Sequence, residues 1–187
     1  MKDRLPDEFE ALVLPFGLST LLFALSMTLG FLTARTASDE SLGSFGPSAK
    51  ASHLDFVGIV LNNTFVLVAI VLGSVTFGLT AMFLLYTTGA ALGSAVRIAL
   101  EQGFDPLTVG LLVVPHGVLE LPAFFLASAI GFDTAWGIIA YLRGSRDRPL
   151  TAERAWRYAE LILVAFGLII VAAWVEAAVT IPYARGL

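Results

Sequence analysis

The sequence predicts an all-α polytopic membrane protein of about five transmembrane helices, with a proline-kinked fourth helix. Hydrophobic residues make up 57% of the 187-residue chain and charged residues 14%, and the mean hydropathy is +0.85. An average soluble domain has about 45–50% apolar and about 25% charged residues, so a soluble globule could not bury this much apolar surface. Several uncharged stretches are as long as the roughly 20 residues that one crossing requires. We therefore expect residues 1–187 to form a single membrane domain.

The first predicted span covers residues 11–34, where no charged residue occurs between Ala11 and Thr33. This run is longer than the apolar core of a cleavable signal peptide, about 7–15 residues, so we interpret it as a retained helix. Residues 36–55 gather Ser, Gly, Pro and charged residues, which is typical of an exposed polar loop.

The second and third spans share one long apolar stretch, residues 56–96, which contains no charge. It is roughly twice as long as one crossing requires at about 1.5 Å per residue, so the chain must fold back within it. We expect the turn at Gly73 and Ser74, which gives spans at 56–72 and 76–97.

The fourth and fifth spans are predicted at 107–130 and 158–181. Between them, residues 133–142 are expected to lie at the membrane interface, with Trp136 and Tyr141 as headgroup anchors.

The basic residues predict the orientation. Seven of the eleven lysines and arginines fall in the N-terminus and in the loop 142–157, which five spans place on the same side. Because basic loops resist translocation, we expect the N-terminus inside and the C-terminus outside the cell membrane. The arginine-rich loop is interpreted as a topology signal that contacts anionic lipid, and as an alternative it docks a cytoplasmic protein.

Few polar residues occur inside the predicted spans, and these are the candidate site residues. They are Asn62, Asn63, His116, Glu120 and Glu176. A charged side chain near the bilayer centre costs about 3 kcal/mol on insertion scales, so such residues usually face the interior of a bundle. His116 and Glu120 lie four residues apart, on one face of a helix. The flanking Pro115 and Pro122 each remove a helical hydrogen bond and predict a kink.

The estimated depths of these five residues in the membrane suggest that they can meet. At about 1.5 Å per residue, the two asparagines lie roughly 9–11 Å, His116 about 14 Å, Glu120 about 20 Å and Glu176 about 8 Å from the outer edge of their spans. The simplest way to limit the desolvation cost is for these groups to meet. We therefore predict one buried polar cluster.

Three roles for this cluster remain open. As structural glue, it would hold helices in register through hydrogen bonds of about 0.5–2 kcal/mol each. As a proton or cation relay, it would use the histidine and two carboxylates. As a metal site, one His and two Glu have the ligand number of catalytic zinc but not the spacing of the paired-histidine motif.

Other function classes find no support in the sequence. With 11 basic against 15 acidic residues, the chain lacks the positive field of a nucleic-acid-binding module. It contains no phosphate-cradling glycine motif, serine nucleophile elbow or histidine pair, so we expect no enzymatic activity, no cofactor and no bound metal.

A series of small residues in the third span predicts close helix packing. Gly89 and Gly93 lie four apart and are flanked by Ala90 and Ser94. Small residues at this spacing let two helices approach closely. The partner helix is expected within the chain, and a homodimer is the alternative.

Three motifs resemble the stage II sporulation protein M family of small membrane proteins. They are Asn62-Asn63 opening a hydrophobic glycine-bearing run, Pro115-His116-Gly117 with Glu120-Leu121-Pro122-Ala123, and Glu176-Ala177-Ala178-Val179-Thr180-Ile181-Pro182. The element His-Gly-x-x-Glu-x-Pro is the most specific of them. The resemblance covers residues 56 to 182, and it implies that the five polar residues are the polar core of the family.

The resemblance also implies a function. Members from sporulating bacteria act as a membrane subunit that holds cell-wall hydrolases during engulfment and are not hydrolases themselves. We therefore expect an integral membrane scaffold or assembly subunit for membrane or cytoplasmic protein partners. The alternative is a small transporter or channel that uses His116, Glu120 and Glu176 as an ion or proton site.

Overall fold

The computed structural model describes residues 8–34 and 56–186, and in these residues it contains helices and turns but no strand. Five helices are long and apolar enough to cross a membrane, which confirms the predicted fold class. The long helices are α1 (Glu8–Thr33), α2 (Phe56–Leu72), α3 (Leu79–Glu101), α4 (Pro106–Leu142) and α5 (Ala152–Val175). Helix α5 continues through a π-helical turn, Glu176–Thr180, into the short helix α6, Ile181–Arg185. The predicted polar loop after the first helix lies outside the described residues.

The turn between α2 and α3 begins at Gly73, as the sequence predicts, but it extends to Gly78, so that the third span begins at Leu79 and not at residue 76. A short 3-10 turn, Gly73–Thr76, follows α2, and the next two residues, Phe77 and Gly78, adopt positive φ angles of 53° and 88°. A Cβ atom at Gly78 would also contact the ring of Phe132 on α4. A glycine is therefore required here by both the backbone and the packing.

Small residues hold α1 against α3. A Cβ atom at Gly93 would overlap the backbone of Met27, and one at Gly30 would overlap the backbone of Ala90. The hydroxyl of Ser94 donates a hydrogen bond of 3.1 Å to the carbonyl oxygen of Gly30. The small residues of the third span thus contact α1 of the same chain, so they do not provide a surface for a second copy. The homodimer stays a prediction.

Helix α4 is longer than a membrane crossing. Its 37 residues span about 55 Å, against about 30 Å of hydrocarbon core. Asp105 caps its first turn by accepting from the backbone amides of Leu107 and Thr108. Pro115 and Pro122 lie inside the helix, which continues past both. The kink at these prolines stays a prediction.

The core takes one large side chain or more from each long helix. Its buried members include Phe23, Leu67, Leu85, Phe124 and Ile169. We call the end of the bundle at which α4 begins the upper end, and the end at which it terminates the lower end. From Ala123 onward α4 is largely buried, whereas its stretch 110–122 contains no fully buried residue. The upper half is therefore less tightly packed around α4 than the lower half.

The structure extends the predicted fourth span. The sequence places its end at residue 130 and a separate interfacial segment at 133–142, but α4 is continuous to Leu142. The physical reason is that Asp133 does not interrupt the helix, because partners from α5 compensate its charge.

Candidate functional site in the upper half of the membrane

The five predicted polar residues lie on three neighbouring elements of the upper half. Asn62 and Asn63 belong to α2, His116 and Glu120 to α4, and Glu176 opens the π-helical turn. Packing of Ile59 from α2 against Ala173 and Ile181 joins the first and third of these elements. All three helices therefore contribute polar groups to the loosely packed end of the bundle.

His116 contacts the π-helical turn. Its Nδ1 atom lies 3.5 Å from the hydroxyl oxygen of Thr180, at the outer limit of a hydrogen bond, and either atom can donate depending on the tautomer. Thr180 is buried, whereas His116 is half-buried. The sequence did not single out Thr180, although it lies one helical turn after Glu176.

The carboxylates of Glu120 and Glu176 lie near enough to repel each other when both are charged. Neither takes part in an ion pair recorded among the described residues, since those pairs join Arg97 to Glu101 and Arg154 to Asp133. A proton, a cation or a polar partner would lower the cost of keeping both carboxylates in the membrane.

A π-helical turn contains two of the polar residues of the upper half, Glu176 and Thr180. It comprises five residues, Glu176–Thr180, between two α-helical segments. Such a turn inserts an extra residue into a helix and is frequent at functional sites. Glu176 lies at the start of this turn, and Thr180, which contacts His116, lies at its end.

The two asparagines bond to each other. The side-chain nitrogen of Asn62 donates to the side-chain oxygen of Asn63 at 3.0 Å. Asn63 is buried and Asn62 is exposed on the surface of α2. The neighbouring Thr64 hydroxyl is buried without a recorded hydrogen-bond partner. Among the described residues no hydrogen bond connects the asparagines to His116, so a single cluster of all five stays a prediction.

The geometry does not support the interpretation of His116, Glu120 and Glu176 as a metal site. Within the part of the chain that the structure describes, no three His, Cys, Asp or Glu side chains come together as metal ligands. His116 contacts Thr180 instead, and Glu120 lies near Glu176.

Sequence reasoning missed a buried ionic network at the lower end. Asp133 accepts a hydrogen bond of 3.1 Å from the guanidinium of Arg154, and the Tyr158 hydroxyl donates to the same carboxylate oxygen. The Asp133 and Arg154 side chains are 9% and 12% exposed. One signal was available, because small residues at Ala129, Gly137 and Ala140 surround the aspartate on its helix face and leave room for a neighbouring helix.

A second missed contact links α1 to α4. The hydroxyls of Ser19 and Ser128 are fully buried and lie 2.7 Å apart. Ser19 donates to the carbonyl oxygen of Pro15, and the Ser128 hydroxyl lies within hydrogen-bond distance of both Ser19 and the carbonyl oxygen of Phe125. Both hydroxyls therefore have partners within the hydrocarbon region. This pair fixes the register of the two helices.

The chain is similar to known proteins over most of its length. The family model described as stage II sporulation protein M matches residues 19–181. An uncharacterized protein of Methanocaldococcus jannaschii is 30% identical over 172 residues, which is 89% of this chain and 94% of that relative. No solved structure matches the chain. The matched region includes all five predicted polar residues, the π-helical turn and the lower ionic network.

Proposed function

The chain belongs to the stage II sporulation protein M family, and from this membership and the polar groups of its upper half we propose that it is a membrane scaffold or assembly subunit. In this role it binds membrane-associated protein partners and has no catalytic activity of its own. The observation that carries the proposal is the exposed amide of Asn62 on a membrane-spanning helix.

An amide that faces lipid is unfavourable. Burying such a group without hydrogen-bond partners costs roughly 2–7 kcal/mol, and the hydrocarbon core offers none. The recorded hydrogen bond of Asn62 to Asn63 uses one of its amide protons and leaves the oxygen to be satisfied. Because His116 and Glu176 are also half-buried in the upper half, a partner helix that docks there would cover several polar groups at once.

The scaffold role is tested by substitution in native membranes. Asn62→Leu removes the exposed amide, while Leu61→Ala changes an exposed apolar neighbour that is 64% exposed on the same helix. Partners that co-purify in mild detergent are identified and quantified by mass spectrometry. We expect Asn62→Leu to lose a partner that Leu61→Ala and Glu120→Gln retain. A partner set unchanged by Asn62→Leu would refute the docking role of this surface.

A second candidate function is ion or proton transfer, which the facing carboxylates of Glu120 and Glu176 favour. Two carboxylates without a recorded basic partner can share a proton or hold a cation between them. The test is flux into liposomes that contain the purified protein, with protein-free liposomes as the control. We expect Glu120→Gln to abolish this flux and to preserve the fold. Flux equal to that of protein-free liposomes would exclude this candidate.

The orientation belongs to the same proposal, with the N-terminus inside and the C-terminus outside. The chain contains no cysteine, so single cysteines can report on each side without background. Cysteines at Ser145 and Gln102, both exposed between helices, probe the two ends of the bundle. In intact cells a membrane-impermeant maleimide should label position 102 and not position 145. The opposite pattern would invert the topology.

A homodimer is the remaining part of the proposal. Its mass is measured directly in nanodiscs or by native mass spectrometry, where a single chain has a mass of 19.9 kDa. A species of twice this mass supports the homodimer, and a single-chain species at working concentration excludes it.

A further inference from the structure

The lower end of the bundle carries a helical hairpin that extends past the turn between α2 and α3. It consists of the last turns of α4, the loop 143–151 and the first turns of α5, and we call residues 133–157 the lower hairpin. The contact between Gly78 and Phe132 marks the level of the turn between α2 and α3. Residues after Phe132 therefore lie beyond the short turn that closes this end.

Buried contacts hold the lower hairpin in one arrangement. The network of Asp133, Arg154 and Tyr158 joins its two helices at the base. Nearer the tip, a Cβ atom at Gly137 would overlap the carbonyl of Pro149, and the hydroxyl of Ser145 donates to the carbonyl of Ala140 at 2.8 Å. The loop is thus folded back onto α4 and presents fixed side chains.

The lower hairpin exposes large aromatic side chains. Trp136 is 56% exposed, Tyr141 47% and Trp156 71%. Tryptophan and tyrosine are enriched where a membrane meets water, because an apolar ring and a polar N–H or O–H suit the headgroup level. Trp136 lies one turn, about 6 Å, past Phe132, which is within the roughly 5–8 Å thickness of the headgroup layer.

The loop beside these aromatic residues is basic. Between residues 143 and 151 the chain has three arginines and one aspartate. Arg143 and Arg148 are exposed, and no recorded ion pair involves either of them in the described residues. Each basic residue near an anionic membrane surface contributes about 1 kcal/mol of attraction.

We propose that the lower hairpin lies against the headgroup layer and binds anionic phospholipid through Arg143 and Arg148, with Trp136 and Trp156 as anchors. Lipid is the occupant because Trp136 lies one turn past Phe132 and Arg148 precedes Pro149, whose carbonyl lies against Gly137, so that aromatic and basic groups lie close to the headgroup level. The lower hairpin is fixed at its base, so it cannot move these side chains far from that level. This assignment is independent of the upper polar groups and of the side of the membrane on which the hairpin lies.

Tryptophan fluorescence tests the position of the hairpin. The chain has three tryptophans, so a variant with Trp136→Phe and Trp174→Phe reports on Trp156 alone. A matched variant that keeps only Trp174, which is 60% exposed near the C-terminal end of α5, is the control within the membrane. Both are reconstituted in phosphatidylcholine nanodiscs with and without phosphatidylglycerol, and quenching by a lipid labelled near the headgroup is compared with quenching by iodide.

We expect headgroup-labelled lipid to quench Trp156 strongly, and phosphatidylglycerol to protect it from iodide. Trp174 should be shielded from iodide in both lipid mixtures. The proposal is overturned if iodide quenches Trp156 as it quenches free tryptophan in both mixtures. In that case the hairpin projects into water, where a soluble acidic protein would be the occupant to seek.

Charge substitutions test the anionic ligand. Replacing Arg143 and Arg148 by glutamine removes two contributions of about 1 kcal/mol, roughly fivefold in affinity each. The mole fraction of phosphatidylglycerol that gives half-maximal protection of Trp156 should therefore rise at least fivefold. Asp147→Asn removes the one acidic residue of the loop and should shift it in the opposite direction. If the double variant titrates like the parent protein, while the same two substitutions in the variant that keeps only Trp174 leave its fold intact, the arginines bind no anionic lipid and the proposal is wrong.

Discussion

The ionic network at the base of the lower hairpin allows a quantitative prediction. Asp133→Asn keeps the size of the side chain and removes its charge, which leaves the guanidinium of Arg154 buried without its carboxylate. Removing one partner of a buried pair costs about 3–5 kcal/mol. The asparagine oxygen can still accept a hydrogen bond, and Arg154 lies near the membrane boundary at 12% exposure, so we expect about 2–3 kcal/mol.

The paired substitution separates the charge interaction from other effects. Arg154→Met removes the cation and leaves the Asp133 carboxylate with the Tyr158 hydroxyl, at a similar cost. In the double variant neither charge remains, so its loss of stability should be about 2–3 kcal/mol smaller than the sum of the two single losses. Asp147→Asn, in the exposed loop, is the control and should change stability by less than about 0.5 kcal/mol.

The free energy of unfolding is measured by denaturant titration in mixed micelles with tryptophan fluorescence as the readout. A double variant whose loss equals the sum of the single losses would show that Asp133 and Arg154 do not interact, and the account of the hairpin base would be wrong. The same titration gives the slope with denaturant, which must stay constant for the comparison to hold.

Three further predictions concern packing, pH and the register of α1. Gly93→Ala should destabilise the protein by about 1–3 kcal/mol in thermal unfolding, because the added methyl group overlaps the Met27 backbone. The control Gly167→Ala has open space around it and should be neutral or stabilising by up to about 1 kcal/mol. Equal effects of the two substitutions would refute the close approach of α1 and α3. Hydrogen bonds from the Thr108 hydroxyl and amide lower the pKa of Asp105, so the ionised carboxylate stabilises the fold above the ordinary carboxyl pKa and this stabilisation is lost as pH falls below about 4. Asp105→Asn should therefore remove that part of the pH dependence of stability between about pH 5 and about pH 3. A pH profile that Asp105→Asn leaves unchanged would contradict the role of Asp105 as a helix cap. Ser128→Ala leaves Ser19 its hydrogen bond to the carbonyl of Pro15, so it should lower the free energy of unfolding by only about 0.5–1 kcal/mol in a denaturant titration. Ser128→Leu should lower it several times more, because the fully buried contact with Ser19 has no space for the larger side chain.

The number of spans and the position of the fold-back could be predicted because they depend on local properties. Apolar stretches of sufficient length define the helices, and Gly73 and Gly78 permit the one tight turn that the uncharged stretch 56–96 requires. The close packing of Gly89 and Gly93 could also be expected from their spacing, but the sequence could not indicate that their partner helix is α1.

The remaining features depend on helical phase and on partners distant in sequence. The sequence predicted Asp133 near the membrane interface and not in a buried ionic network. Its partners, Arg154 and Tyr158, lie 21 and 25 residues away on another helix, so no local pattern could reveal them. The π-helical turn at Glu176 changes the direction of every side chain after it, and no local residue pattern indicated it. Depth arithmetic could place polar groups at similar heights, but it could not assign His116 to Thr180 or Glu120 to Glu176.

The central claim is that the polar groups of the upper half form a surface on which another membrane protein docks. The most direct measurement is photo-crosslinking in native membranes from benzoylphenylalanine placed at Asn62, compared with the same group at Leu29, which is 45% exposed on α1. The account predicts a discrete protein adduct from position 62, identified by mass spectrometry, and lipid adducts alone from position 29. If the two positions give the same lipid adducts and no protein, the upper polar groups serve the fold of this chain and dock no partner.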